Sequence, residues 1–147
     1  MKLVVQRSKN SNVIIDNKVI GKIEFGLVVL VSFTHNDTLK DIEYLVKKLV
    51  NLRIFDDENH IMNKSLLDIK GSILSISQFT LYADTKKGNR PSYINSMKKE
   101  NAKMMYDLFN QELIKYNINV QTGIFQENMQ VNIVNDGPVT IILESRE

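Results

Sequence analysis

The run Gly26-Leu27-Val28-Val29-Leu30-Val31 and the later stretch Thr38-Leu39-Lys40-Asp41-Ile42 together decide the fold class. Residues 27–31 contain no polar interruption, which predicts a strand buried on both faces rather than one lying half in solvent. Past it the apolar period changes. Thr38 with Asp41 resembles a capping box, and Ile42, Leu45, Val46 and Leu49 recur at helical spacing, so a helix is predicted from 38 to about 51.

Working outward, short β-branched runs at 2–8 and 12–15 precede a turn at Asp16-Asn17-Lys18 and a further run at 19–24. On the other side, Gly71 introduces a long strand over 73–82, and a polar loop fills 83–92. A second helix over about 98–116 places Ala102, Met105, Phe109 and Leu113 on one face. Met97, Met104 and Met105 read as helix surface and core rather than a cofactor box. Strand candidates at 118–122, 129–134 and 139–143 close the chain. Strands outnumber helices and do not alternate with them one for one. That pattern argues α+β with an antiparallel or mixed sheet, not a doubly wound parallel one.

The 147 residues fit one domain spanning 1–147, long enough to bury a substantial core. An apolar content of 43% with 24% charged residues is that of a globular chain and excludes an intrinsically disordered one. No apolar run approaches the length of a membrane helix, so no membrane partner is expected. Met1-Lys2-Leu3-Val4-Val5-Gln6-Arg7 reads as the edge of folded structure, its apolar part being too short for a signal peptide. With no cysteine there is no disulfide, thiolate metal site or cysteine nucleophile, and a cytoplasmic location is expected. A net charge of +2 is only slightly basic, so a polyanionic partner must be met by a local patch.

The usual catalytic constellations are missing. His35 and His60 are the only histidines, neither with a metal-ligand partner at short spacing. Asp56-Asp57-Glu58-Asn59-His60 lacks the glycine of a calcium loop and reads as a solvated turn. There is no GxSxG, P-loop or GxGxxG motif, and neither metal nor cofactor is expected.

Two segments break the plain pattern. In Ser75-Ile76-Ser77-Gln78-Phe79-Thr80-Leu81-Tyr82, strand alternation puts Gln78 and Thr80 on one face with Leu74 and Ile76, and Ser77, Phe79 and Leu81 on the other. On periodicity alone this is a partly exposed strand end. Val134-Asn135-Asp136-Gly137-Pro138-Val139-Thr140 reads as a turn between two strands, since proline cannot donate to a ladder and glycine opens conformations closed to other residues. Such a turn exposes main-chain carbonyls able to accept from an ammonium group. On spacing alone it is an ordinary hairpin turn.

Ser77-Gln78-Phe79-Thr80-Leu81 and Asn135-Asp136-Gly137-Pro138-Val139-Thr140 resemble the two signature motifs of the D-aminoacyl-tRNA deacylases, SQxTL and NxGPxT. The resemblance extends in order and spacing through Val5-Gln6-Arg7, Leu52-Arg53-Ile54-Phe55-Asp56, Met62-Asn63, Tyr82 to Gly88, Arg90-Pro91-Ser92 and Thr122-Gly123. One departure is Phe125-Gln126-Glu127-Asn128-Met129, where the family usually has small residues, often Gly-Ala, after the phenylalanine.

The resemblance implies a barrel-like core and a homodimer whose active sites form at the subunit interface, acting on aminoacyl-tRNA. It implies a cis Gly137-Pro138 bond, although X-Pro bonds in general are cis only about 5–6% of the time. It further implies that this dipeptide reaches the partner's pocket, with Arg7 helping to hold it. Ser77, Gln78, Phe79 and Thr80 would be catalytic, and Gly137, Pro138, Asn135, Arg7 and Met129 would bind substrate and select its chirality. Ammonium capture by the Gly137 and Pro138 carbonyls would admit a D-residue and drive an L side chain into the backbone, with glycine leaking through. Lys86, Lys87 and Arg90, in the loop beside the first motif, are candidate tRNA contacts. No base is evident for Thr80, so either it or water activated by the ribose 2′-hydroxyl attacks the ester. Two rivals stand. One is a related deacylase acting on L-aminoacyl mischarged tRNA, which holds the dipeptide trans. The other is a non-catalytic nucleic-acid-binding module, since related domains occur in DNA-replication-associated proteins.

Overall fold

The structure is a computed structural model describing residues 1–145. It opens with a long antiparallel hairpin of β1 (Lys2–Ile15) and β2 (Lys18–Ser32), closed by Asp16 and Asn17, both at positive φ. Two residues at positive φ make the turn type whose twist matches the strands, and Asp and Asn tolerate it. The two short runs expected on either side of Lys9–Ser11 are therefore one strand. The same is true of β2, which continues through Gly26 at φ 138°. A Cβ there would lie 1.9 Å from the Ser72 carbonyl oxygen, so the glycine lets the next strand approach.

Helix α1 (Leu39–Val50) begins with the capping box foreseen at Thr38, whose N–H donates to the Asp41 carboxylate at 2.8 Å. It buries Ile42, Leu45, Val46 and Leu49 and carries the chain over to β5 (Ser72–Ser77), which runs parallel to β2 from Gly26↔Ser72 to Val31↔Ser77. Between them, β3 (Phe55–Asp56) and β4 (Met62–Lys64) form a small ribbon that had no apolar alternation to announce it. Helix α2 (Lys99–Ile114) and strands β6 (Val120–Thr122), β7 (Gln130–Asn132) and β8 (Asn135–Glu144) complete the chain.

The main sheet runs β6-β5-β2-β1-β7, and β8 also pairs with β1. It is mixed, as foreseen, but open: β6 and the β7/β8 side do not pair, so the barrel-like expectation is corrected to an unclosed sheet. Leu27, Val29 and Val31 pack towards the helices with Leu45, Leu49, Phe109 and Leu113. Val28 packs with Val13, Ile23, Leu74 and Ile76 in a second cluster. That is the two-sided burial the uninterrupted run 27–31 demands. Truncating Leu45 or Phe109 to alanine in such a core costs about 2–5 kcal/mol.

The expected strand over 73–82 is corrected. β5 ends at Ser77, and Phe79–Tyr82 is a 3-10 turn. The Gln78 N–H makes a last bond to the Val31 carbonyl at 2.8 Å, and β2 offers no partner beyond Ser32. With the ladder gone, the chain satisfies itself locally, Leu81 N–H to Gln78 C=O and Ala83 N–H to Thr80 C=O. The residues expected to form a turn before β8 are instead part of it.

Candidate active site

A cavity of about 680 Å³ opens where β5 gives way to the 3-10 turn. Ser77, Gln78 and Phe79 form one wall, the end of β2 and the start of α2 a second, and loop 125–129 a third. Of the residues expected at the site, Ser77, Gln78, Phe79 and Met129 line it directly. Thr80 is tied to them because the Gln78 side-chain amide donates to its hydroxyl at 2.5 Å. This contact arises from the turn and not from the strand face that alternation suggested.

The main chain here is fixed from behind. The Phe79 carbonyl accepts from the Ser96 hydroxyl at 3.0 Å and from Ser32 at 3.4 Å. Bonds of the 3-10 turn begin at the Leu81 N–H, so the N–H groups of Phe79 and Thr80 head the turn without a partner inside it. Behind β5, the Tyr106 hydroxyl donates to the Ser75 carbonyl at 2.7 Å, and its ring lies 6.0 Å from that of Phe125. Burial pushes the Tyr106 hydroxyl above its ordinary pKa. Ser32, Ser96 and Tyr106 were not foreseen. Their spacing in sequence carries no signal, because they meet the site only through the parallel crossover.

In loop 125–129, Gln126 adopts φ 68°, a left-handed conformation that a glycine would reach without penalty. The departure noted in the sequence thus places a polar side chain, on a left-handed backbone, in the cavity wall.

Arg7 and the second motif assemble elsewhere on the molecule. Ladder pairs Gln6↔Thr140 and Ser8↔Asn135 leave Arg7 alone opposite residues 136–139, which bulge out of β8. Arg7 fills the gap: Nε donates to the Asp136 carbonyl at 2.9 Å, and one terminal nitrogen reaches the Ile54 carbonyl at 3.0 Å and the Asp56 carboxylate at 3.3 Å. The Asn135 side chain closes the bulge, accepting from the Val139 N–H at 3.0 Å and donating to the Thr140 hydroxyl at 2.9 Å. Within it the Gly137-Pro138 bond is cis, as the resemblance implied, and both residues are exposed. Neither lines the cavity, so a single chain does not bring the two motifs together.

Lys86, Lys87 and Arg90 are exposed on a loop pinched by the mutual backbone bonds of Asp84 and Ser92, outside the cavity wall. Lys99, at the start of α2, lines the cavity and was not foreseen. Several further groups of shifted pKa lie within residues 57–68, and Lys115, just past α2, is raised by its hydrogen bond to Glu112. Backbone N–H groups of Ile61 and Asn59 hold the Asp57 carboxyl below its ordinary pKa, and hydrogen bonds from Ser65 do the same for Asp68. His35 bonds the Ile94 carbonyl and His60 sits in a tight turn at positive φ. Among the described residues no three His, Cys, Asp or Glu side chains gather to hold a metal, and no helix is long and apolar enough to cross a membrane.

Residues 4–144 match the family described as D-Tyr-tRNA(Tyr) deacylase. The chain belongs to this family of hydrolases. A D-aminoacyl-tRNA deacylase of Bacillus cytotoxicus is 52% identical over 99% of the chain and 100% of the relative, and one of Bacillus mycoides is 51% identical with the same coverage. Among solved structures, one titled c-Myc DNA Unwinding Element Binding Protein superposes with a TM-score of 0.94 at 40% identity, covering both chains in full. A probable eukaryotic D-amino acid tRNA deacylase superposes with a TM-score of 0.84 at 16% identity, over 97% of this chain and 98% of that one. This last likeness concerns the fold.

Proposed function

We propose that the chain hydrolyses the ester of D-aminoacyl-tRNA, and of some glycyl-tRNA, releasing free amino acid and tRNA as a chiral check on translation. The observation that carries this reading is the cavity walled by Ser77, Gln78 and Phe79, with the N–H groups of Phe79 and Thr80 left over by the 3-10 turn. Ester hydrolysis needs donors for a developing oxyanion, and fixed backbone N–H groups supply them without reorganisation. The Gln78 amide is no base near neutral pH, so water activated by the 2′-hydroxyl of the substrate's terminal ribose is the attacking group. The protein then contributes placement. Chirality is selected at Gly137 and Pro138, whose carbonyls hold the ammonium while Arg7 and Asn135 hold the bulge.

The active form in this reading is a homodimer acting in the cytoplasm, where aminoacyl-tRNA is used. Gly137 and Pro138 stand exposed away from the cavity of their own chain, and Val134 and Ile142 beside them are 51% and 63% exposed. A second copy covering this edge would bring the motifs together and bury that apolar surface. The DNA-binding title of one structural relative keeps a non-catalytic role as the alternative outcome. The test is incubation with pooled tRNA charged with D-tyrosine or L-tyrosine, without added metal. Release of D-tyrosine alone is expected. Tight tRNA binding with no turnover would favour the binding module, and loss in chelator with rescue by a divalent ion would overturn the metal-free part.

A further inference from the structure

Three exposed apolar side chains stand beside the mouth of the cavity: Phe79 at 55%, Tyr93 at 41% and Ile94 at 75%. The rings of Phe79 and Tyr93 meet edge to face at 5.1 Å. Their backbone is firmly held. Ser92 is paired with Asp84, the Ile94 carbonyl accepts from His35 at 2.6 Å, the Asn95 carbonyl from the Thr34 hydroxyl at 2.6 Å, and the Met97 N–H donates to Phe33 at 3.0 Å. A segment pinned at four points yet turning Tyr93 and Ile94 outward is a rigid apolar display, the arrangement that lowers the entropic cost of binding. It adjoins the loop of Lys86, Lys87 and Arg90, none of which forms an ion pair among the described residues.

We propose that Tyr93, with Phe79 and Ile94, is a stacking platform for the unpaired nucleotides that precede the terminal adenosine of tRNA. The inference rests on the deacylase reading and extends it from the reacting ester to the chain leading away from it. With the ester in the cavity that Phe79 lines, the single-stranded end must leave across adjoining surface. Unpaired bases stack on exposed aromatic rings irrespective of sequence, and their phosphates call for nearby cations. An aromatic pair flanked by three exposed cations matches that ligand better than it matches an apolar protein surface.

The test is direct binding of uncharged tRNA, intact or trimmed of its three unpaired 3′ nucleotides, to the full-length protein and to Tyr93→Ala and Tyr93→Phe variants. Trimming should weaken binding to the unsubstituted protein and to Tyr93→Phe by roughly 5- to 100-fold, the worth of one stacked base. For Tyr93→Ala, the penalty for trimming should be clearly smaller, the coupling that marks a shared contact. Equal penalties in all three proteins would overturn the platform. So would a change in oligomeric state of Tyr93→Ala by light scattering, since the rings would then be covered by a second copy. The readout needs no turnover, so failure of the deacylase reading shows separately as an inactive protein on D-tyrosyl-tRNA.

Discussion

Arg7 Nε donates to the Asp136 carbonyl at 2.9 Å, and through that bond β1 holds the exposed bulge of β8 in place. The same guanidinium reaches Ile54 and Asp56, so one fork joins three segments of the chain. A lysine keeps the charge but has neither the planar geometry nor enough fixed donors for these acceptors. Arg7→Lys should therefore lower kcat/KM for D-tyrosyl-tRNA by at least tenfold while costing about 1–3 kcal/mol of stability. Steady-state kinetics with denaturant melts will check it. Wild-type activity in a variant that melts normally would show the clamp to be dispensable.

Gly137 is at φ 137°, and a Cβ there would lie 2.9 Å from Val139 Cγ2 and 3.0 Å from an Arg7 nitrogen. Gly137→Ala meets both a conformation closed to L-residues and a crowded neighbour. Backbone strain of this kind costs about 1–3 kcal/mol. The bulge should relieve it by shifting, so discrimination between D- and L-tyrosyl-tRNA should fall along with the rate. An alanine variant with unchanged selectivity would remove Gly137 from chiral recognition.

How much of this was legible beforehand varies with the range of the forces involved. The two-sided burial of 27–31 and helix α1 follow from local apolar period and a cap, and both appear where the sequence put them. The end of β5 was not readable, because it is set by the length of β2, its partner across a parallel ladder. The bulge opposite Arg7 was hidden likewise: residues 134–140 spell a turn locally, and only pairing with β1 on both sides makes 135–140 strand. At the site, the motif residues were found by resemblance. Ser32, Ser96, Lys99 and Tyr106 have no motif and reach the site through tertiary packing alone.

Tyr106 offers a pH signature. Burial raises its pKa in the fold, so the native state favours the neutral phenol. The associated stability is fully present below the unfolded pKa near 10 and is lost as pH rises from there through the higher folded value. Tyr106→Phe should cost about 1 kcal/mol at neutral pH by deleting the bond to Ser75. It should also make the melting temperature fall less steeply above pH 10 than that of the unsubstituted protein. Parallel curves for the two proteins across that range would contradict this.

Lys86, Lys87 and Arg90 are solvent-exposed and make no ion pair among the described residues, so replacing all three with alanine should leave the fold intact. If they meet phosphates, tRNA affinity should drop and its log–log salt slope should flatten by about 0.7–0.9 for each phosphate no longer neutralised. An unchanged slope would assign the loop to solvent.

The identity of the attacking group rests on Gln78 and Thr80. An amide donor 2.5 Å from the threonine hydroxyl orients that oxygen but cannot take its proton. Neither histidine is hydrogen-bonded to that hydroxyl: a ring nitrogen of His35 bonds the Ile94 carbonyl, and His60 lies in the turn that joins β3 to β4. A hydroxyl without a base is a poor nucleophile, and deletion of a true serine nucleophile costs about a millionfold in rate. Thr80→Ala should instead lose less than about tenfold, the scale of one net hydrogen bond. The complementary substrate, tRNA ending in 2′-deoxyadenosine and charged at its 3′-hydroxyl, should be nearly inert with the unsubstituted protein, because the group that activates water is gone. Measured together, the two give opposite patterns for the two mechanisms. A Thr80→Ala protein that binds aminoacyl-tRNA normally yet is dead, alongside full activity on the deoxy substrate, would make the threonine the nucleophile and reverse the assignment.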